Sequence, residues 1–326
     1  MRLHATFAAL LLTLALSACG GSGSANPQPA SATLVLDFTP NAVHTGIYEA
    51  IARHDDLRAG VRLHIIVPSA STDSIRLLET GRVNFALLDI HDLAIARERG
   101  QAIVGIMALI QRPLAAVVAA HGVSRPRDLA GRTVGITGVP SDTAVLHSVV
   151  AGDGGSPARV HTITIGFNAV ADLLAGRVAA ATAFWNDEGV TLRRRAPGVH
   201  VFRVDQFGAP AYPELILCAT ASSLRRDPSR ARSVVRALTE GYGQVLAHPA
   251  VGLHALITQV PGLDAGLQTA ELQALLPAFH EPGARVGALS PARLRAWAVW
   301  EQRFGIVARR PDVRTMFDRA FLPPGS

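Results

Sequence analysis

One pattern occurs twice in this chain. "LLETGRVNFALLD" at residues 77–89 and "LLAGRVAAATAFW" at residues 173–185 each read as a helix end, a glycine, Arg-Val and an apolar strand. Gly81 and Gly176 sit where a helix needs a left-handed terminating residue. Shared helix-to-strand chemistry accounts for the echo without a duplication. A chain built of such steps, with short apolar runs separated by amphipathic segments, is committed to α/β architecture.

The alternation runs in two sets. The first predicts strands over 33–38, 61–67, 83–88, 103–109 and 114–119, with helices over 45–53, 74–79 and 92–99. The second predicts strands over 133–137, 160–165, 179–184, 199–204 and 214–219, with helices over 127–129, 141–150 and 169–175. Helices are predicted over 228–247, 249–259, 269–278, 291–304 and 312–321, and Pro228 and Pro291 suit first-turn positions. The expectation is two lobes, each a mostly parallel sheet flanked by helices. Residues 32–119 plus 214–326 form the first and 120–213 the second, with hinge strands at 114–119 and 214–219. Ligands of open α/β sheets bind at the carboxyl ends of strands. Asp89 and Asp92 fall there in the first set, and Trp185 and Glu188 in the second.

The N-terminus carries a second signal. Met1 and Arg2 precede an apolar run over 5–16, too short for a permanent membrane span, and then small residues. Residues 1–18 therefore read as a signal peptide. Leu16-Ser17-Ala18-Cys19 resembles the bacterial lipobox, which implies lipidation of Cys19 and a tether over 19–31. The implied location is the outer face of the bacterial cytoplasmic membrane, or the periplasm. Of two cysteines, Cys218 is then left without a disulfide partner, and its apolar run reads as buried strand.

Composition excludes several classes. Every one of the 31 cationic side chains is arginine, and they are scattered; Arg193 to Arg195 is the one sharp run and reads as a solvated helix face. Aromatic residues make up 5% of the chain, too few for a stacking surface, so no nucleic-acid partner is expected. The 12 histidines show no ligand spacing with acids, so no metal and no cofactor are expected. No Gly-x-Ser-x-Gly elbow or other catalytic set is placed by motif, so the chain reads as a binder and not an enzyme. It is expected to be a monomer.

The most specific stretch is "LDFTPNAVHTGIY" at residues 36–48. It resembles the thiamine-precursor substrate-binding lipoproteins of ABC importers, within the type II periplasmic solute-binding superfamily. "ETGRVNFALLD", "IQRPLAAVV", "DLAGRTVGI" and "IGFNAVADLLAGRVAAATAFWNDEGV" extend the resemblance over most of the mature chain. It implies a two-lobed fold that captures a hydroxymethylpyrimidine or formylaminopyrimidine between the lobes and delivers it to a membrane permease. It also implies that Asp37 bonds the amino-pyrimidine, that Phe38 lies against its ring and that Glu188 is the acid of the second lobe. The family often has tryptophan where this chain has Phe38, and tyrosine near Trp185.

The chemistry agrees, because a flat ring bearing N–H donors calls for carboxylates and aromatic faces. Candidate ligand residues are Asp37, Phe38, Asn41, His44, Asp89, Asp92, Gln111, Trp185, Glu188, Tyr212 and Glu214. Each has a structural alternative. Asp37, Asp89 and Asp92 suit caps, Asn41 suits the turn, and His44 and Glu188 suit first helical turns. Phe38 suits the core, and Gln111 and Tyr212 suit hinge packing. The rival reading is a sulfonate, nitrate or other small-anion binder, using N–H groups before Ser141-Asp142 and the charge of Arg112.

Overall fold

The structure, a computed structural model, describes residues 28–70, 73–139 and 141–323. The expected signal peptide and Cys19 lie outside the described residues. Among the described residues, ten strands form two five-stranded sheets. The first holds β1 (Ala30–Val35), β2 (Val61–Ile66), β3 (Phe85–Asp89), β4 (Ile103–Ala108) and β10 (Leu215–Thr220) in the order β2-β1-β3-β10-β4. The second holds β5 (Ala115–Ala119), β6 (Thr133–Ile136), β7 (His161–Thr164), β8 (Ala180–Phe184) and β9 (His200–Arg203) in the order β7-β6-β8-β5-β9. β1 opens at Ala30, inside the segment expected to be tether.

Each sheet is mixed but mostly parallel, as expected: four of its five strands run one way and one runs against them. β10 runs antiparallel to both β3 and β4, and β5 antiparallel to both β8 and β9. These are the strands that enter each lobe from the other, and each arrives running against its neighbours. The same fact moves the crossings. β5 pairs wholly within the second sheet and β10 wholly within the first, so the connections lie just before these strands rather than along them. β4 and β5 are buried at every position, sandwiched on both faces, which is why they read as unbroken apolar runs.

The two crossings are bonded to each other. Leu109 N donates to Leu215 O at 2.8 Å, and Glu214 N to Ile110 O at 3.0 Å. The Glu214 carboxylate accepts from Ala115 N at 3.1 Å and from Leu114 N. One fully buried acid thus fastens the outbound crossing to the return.

Helices 228–247 and 249–259 appear with the predicted bounds, as Pro228–Ala247 and Pro249–Gln259. The segment 312–321 does not form one helix. Val313–Met316 is a single turn, after which Phe317 is extended and Asp318 N donates to Gly105 O at 2.9 Å on β4. A Cβ on Gly105 would come within 2.7 Å of the Phe317 ring, so the aromatic docks on the sheet where no side chain stands. Helices at Asp55–Arg58, Glu188–Arg195 and Ala221–Arg226 carried too short a period to be read from sequence. Arg193 to Arg195 lie exposed on the second of these.

The turn after β1 is held from behind. Helix Thr45–Ala52 crosses Pro228–Ala247 where Gly46 meets Gly241, and a Cβ on Gly241 would lie 2.1 Å from Gly46 O. Tyr242 packs its ring over Gly46 and donates its hydroxyl to Val43 O at 2.8 Å. The glycine of His-Thr-Gly is therefore a packing requirement.

Replacing Glu214 by alanine strands two buried N–H groups, and should cost about 1–3 kcal/mol in urea denaturation. Glu214→Gln keeps an acceptor and should lose less. Equal losses would show that the crossings are not fastened by this side chain.

Candidate functional site

A cavity of about 110 Å³ lies between the sheets. Its walls come from the carboxyl ends of strands in both lobes, as the α/β rule requires. The segment after β1 supplies Asp37 and Phe38, the end of β3 supplies Asp89, and the following helix Ile90–Glu98 supplies Asp92. From the second lobe come Thr137 after β6, Ser141 and Asp142, Phe167 after β7, and Phe184 and Glu188 at and after β8.

Each acid has a local reason for its place. Asp89 caps helix Ile90–Glu98, accepting from His91 N at 2.7 Å. Asp92 follows in the first turn and accepts from Ser141 Oγ at 3.0 Å across the lobes. Asp142 accepts from Gly138 N at 2.9 Å and Thr137 Oγ1 at 2.7 Å. Glu188 Oε2 accepts from Phe184 N at 3.0 Å. Asp37 Oδ1 lies 3.0 Å from His44 Nε2. His44 Nδ1 accepts from Asn41 N at 3.1 Å, so Nε2 carries the hydrogen and donates to Asp37.

Five carboxyls thus face one space, and no arginine or histidine is among its lining residues. Burial and then the charge of Asp89 push Asp92 up to about 8. Burial and then Asp187 push Glu188 up to about 8. Burial and then Glu214 hold Asp89 well above the usual carboxylate range, and burial raises Asp142. Asp89 and Glu188 keep part of their surface at the cavity and are enclosed by protein elsewhere. At neutral pH an empty cavity of this kind holds protons, and it is complementary to a ligand that brings hydrogen-bond donors.

The candidate residues separate into two groups. Asp37, Phe38, Asp89, Asp92 and Glu188 line the cavity. Asn41, His44, Gln111, Trp185, Tyr212 and Glu214 do not. Asn41 caps its turn, accepting from Val43 N at 2.9 Å, and donates to Asp187 Oδ2 at 2.7 Å, a second contact between the lobes. His44 is fully buried and orients Asp37 from behind. Gln111 donates to Ala288 O at 2.8 Å beside the outbound crossing. Trp185 donates to Pro113 O at 2.8 Å and lies under the Arg203 guanidinium at 4.3 Å. Successive strand residues point to opposite faces, so Phe184 reaches the cavity and Trp185 turns into the core.

Tyr212 and Glu214 belong to a buried network behind Asp89. His91 lies between Glu301 Oε2 at 2.7 Å and the Tyr212 hydroxyl at 2.9 Å. Burial opposes protonation of His91, but Glu301, then Asp89 and Glu214, outweigh it and lift its pKa to about 10. Asp89, His91 and Glu214 offer ligand atoms within 4.8 Å of one another. Both ring nitrogens of His91 already have protein partners, Glu301 and Tyr212.

Sequence reasoning missed Thr137, Ser141, Asp142, Phe167 and Phe184 as cavity residues. The carboxyl-end rule would have found Thr137 and Phe167 had it been applied after β6 and β7 as it was after β3 and β8.

The two lobes and the cavity between them define the periplasmic-binding-protein fold. The chain superposes on the alkanesulfonate-binding protein SsuA of Xanthomonas axonopodis pv. citri bound to MOPS, with a TM-score of 0.73 and 16% identity, covering 90% of this chain and 99% of that one. Residues 41–251 match the NMT1/THI5 like family, and the chain belongs to it. It is similar to the formylaminopyrimidine-binding protein of Halalkalibacterium halodurans, 29% identical over 253 residues, 76% of this chain and 77% of the relative. It is also similar to the 4-amino-5-hydroxymethyl-2-methylpyrimidine phosphate synthase THI12 of Saccharomyces cerevisiae, 22% identical over 259 residues, 74% of each. The membership agrees with the resemblance carried by residues 36–48.

The raised acids make stability depend on pH. Asp92 and Glu188 hold protons in the folded chain up to about 8 and release them in the unfolded chain near the ordinary carboxylate value. Their stabilisation is full at low pH and is lost as pH rises through about 8. His91, raised to about 10, acts in the same direction. The melting temperature of the ligand-free protein should fall from pH 5 to pH 8, and Asp92→Asn and Glu188→Gln should each flatten the slope. A pH-independent melting temperature would contradict these ionisation states.

Proposed function

We propose that this chain is the substrate-binding component of an ABC importer. It captures a thiamine-related aminopyrimidine, of hydroxymethylpyrimidine or formylaminopyrimidine type, between its lobes and delivers it to a membrane permease. The observation that carries this reading is the cavity wall of five carboxyls with no cationic lining residue. An exocyclic amine on a flat ring donates to the acceptor oxygens of those acids, and phenylalanine supplies a face for the ring. Kinship with a formylaminopyrimidine-binding protein supports the same ligand class.

The anion reading has the weaker support. Arg112 is exposed and outside the cavity lining, and the Gly138 N–H before Ser141 already donates to Asp142. A sulfonate here would meet an acid on both lobes and no cationic lining residue to pair with it. Synthases occur among the relatives, but we read this chain as a binder and not an enzyme. It contains no lysine to hold an aldehyde cofactor, and Cys218 is fully buried, with burial holding its thiol well above the usual range.

In this reading Cys19 carries the lipid that tethers a monomer to the outer face of the membrane. Among the described residues no helix is long and apolar enough to cross a membrane. Capture proceeds by closure of the lobes about the two crossings. Asn41–Asp187 and Ser141–Asp92 are the contacts that closure gains.

Asp37→Ala and Glu188→Ala should each weaken binding of 4-amino-5-hydroxymethyl-2-methylpyrimidine by about 1–3 kcal/mol in titration calorimetry. Wild-type affinity in both variants would place the ligand elsewhere. Mass spectrometry of ligand co-purified with the native protein should return an aminopyrimidine.

A further inference from the structure

Two phenylalanines face each other across the cavity. Phe38 follows β1 in the first lobe, and Phe167 follows β7 in the second. Their ring centroids are 4.5 Å apart with planes at 76°. Both rings are half-buried, both line the cavity, and neither belongs to a hydrophobic core cluster among the described residues. A ring outside the core and turned into a cavity is not accounted for by packing. Phe167 is also held in place. Gly166 before it takes φ +57, a turn that favours glycine, and Asn168 after it is the N-cap of helix Ala169–Leu174.

We propose that Phe167 is the second wall of an aromatic clamp, and that the ligand ring lies between it and Phe38. The inference rests on the reading of the cavity as a pyrimidine site and adds a residue and a selection rule to it. Two van der Waals stacks of about 3.5–4 Å set the walls of such a sandwich about 7–8 Å apart. The present edge-on pair must therefore part and turn to admit a ring. In the empty protein the two rings cover each other's apolar faces; a flat ligand replaces that contact with two. Because one wall stands on each lobe, the sandwich is complete only when the lobes are closed. The hydrocarbon walls select flatness, while Asp37, Asp142 and Glu188 read the ring's edge.

The test is calorimetry with 4-amino-5-hydroxymethyl-2-methylpyrimidine on the full-length protein. Phe167→Ala should bind about ten-fold more weakly or worse, the scale of one lost aromatic stack. Phe167→Leu, which restores apolar bulk without a flat face, should remain weakened, and Phe167→Trp should bind within about three-fold of wild type. Phe167→Ala binding within about two-fold of a competent wild type overturns the clamp, as does full affinity in Phe167→Leu. Should the wild type not bind this pyrimidine, the function proposed above fails. The clamp is then decided with cytosine, adenine and nicotinamide on the same variants. Binding of one of them that follows the same order supports the clamp, and a wild type that binds none of these flat rings overturns it too.

Discussion

Carboxyl groups placed in a cavity without a countercharge govern the rest of this molecule. Burying an unpaired carboxylate is costly, and a folded chain lowers that cost by hydrogen bonds, by keeping a proton, or by leaving the remainder to a ligand. All three appear here. Thr137, Ser141 and backbone N–H groups of Gly138 and Phe184 take up part of the hydrogen-bonding capacity of Asp142, Asp92 and Glu188. Burial keeps Asp92 and Glu188 protonated to about 8. A donor-bearing ligand then finds acceptors already fixed in place, so little ordering remains to oppose binding.

The two-lobed fold divides those acids between the two sheets. Asp37, Asp89 and Asp92 stand on one sheet's carboxyl edge, and Asp142 and Glu188 on the other's. In the proposed capture, closure of the lobes about the crossings would change their separation. Glu214 fastens one crossing to the other and faces Asp89, which lines the cavity. Behind it, His91, Tyr212 and Glu301 form a fully buried network. The hinge and the ligand wall are therefore neighbours through two acids. Asn41 and Asp187 add a contact between the lobes outside the cavity.

Much of this was legible in the sequence. Apolar runs gave all ten strands within a few residues, because buried strands are short, continuous and punctuated by glycine. Direction was not legible strand by strand: an apolar run reads the same both ways, so a mostly parallel sheet could be expected but not that β5 and β10 are its reversed strands. The carboxyl-end rule found Asp89, Asp92 and Glu188, because it depends on strand position alone, and the resemblance over residues 36–48 supplied Asp37. It failed at Trp185, where the choice between Phe184 and Trp185 turns on a one-residue alternation at a strand end. Tyr212, Gln111 and Glu214 sit at the right height in the sheet and one layer too deep. Depth depends on the packing of distant segments, such as the helix Pro291–Arg303 that brings Glu301 against His91.

The most direct test sets the two ligand classes against each other on the wild-type protein. Titration calorimetry at pH 7 with 4-amino-5-hydroxymethyl-2-methylpyrimidine and, separately, with taurine compares a donor-bearing flat ring with a sulfonate. Saturable binding of the pyrimidine with no heat from taurine is the result predicted by a cavity walled with acids. Saturable binding of taurine with none of the pyrimidine would contradict it.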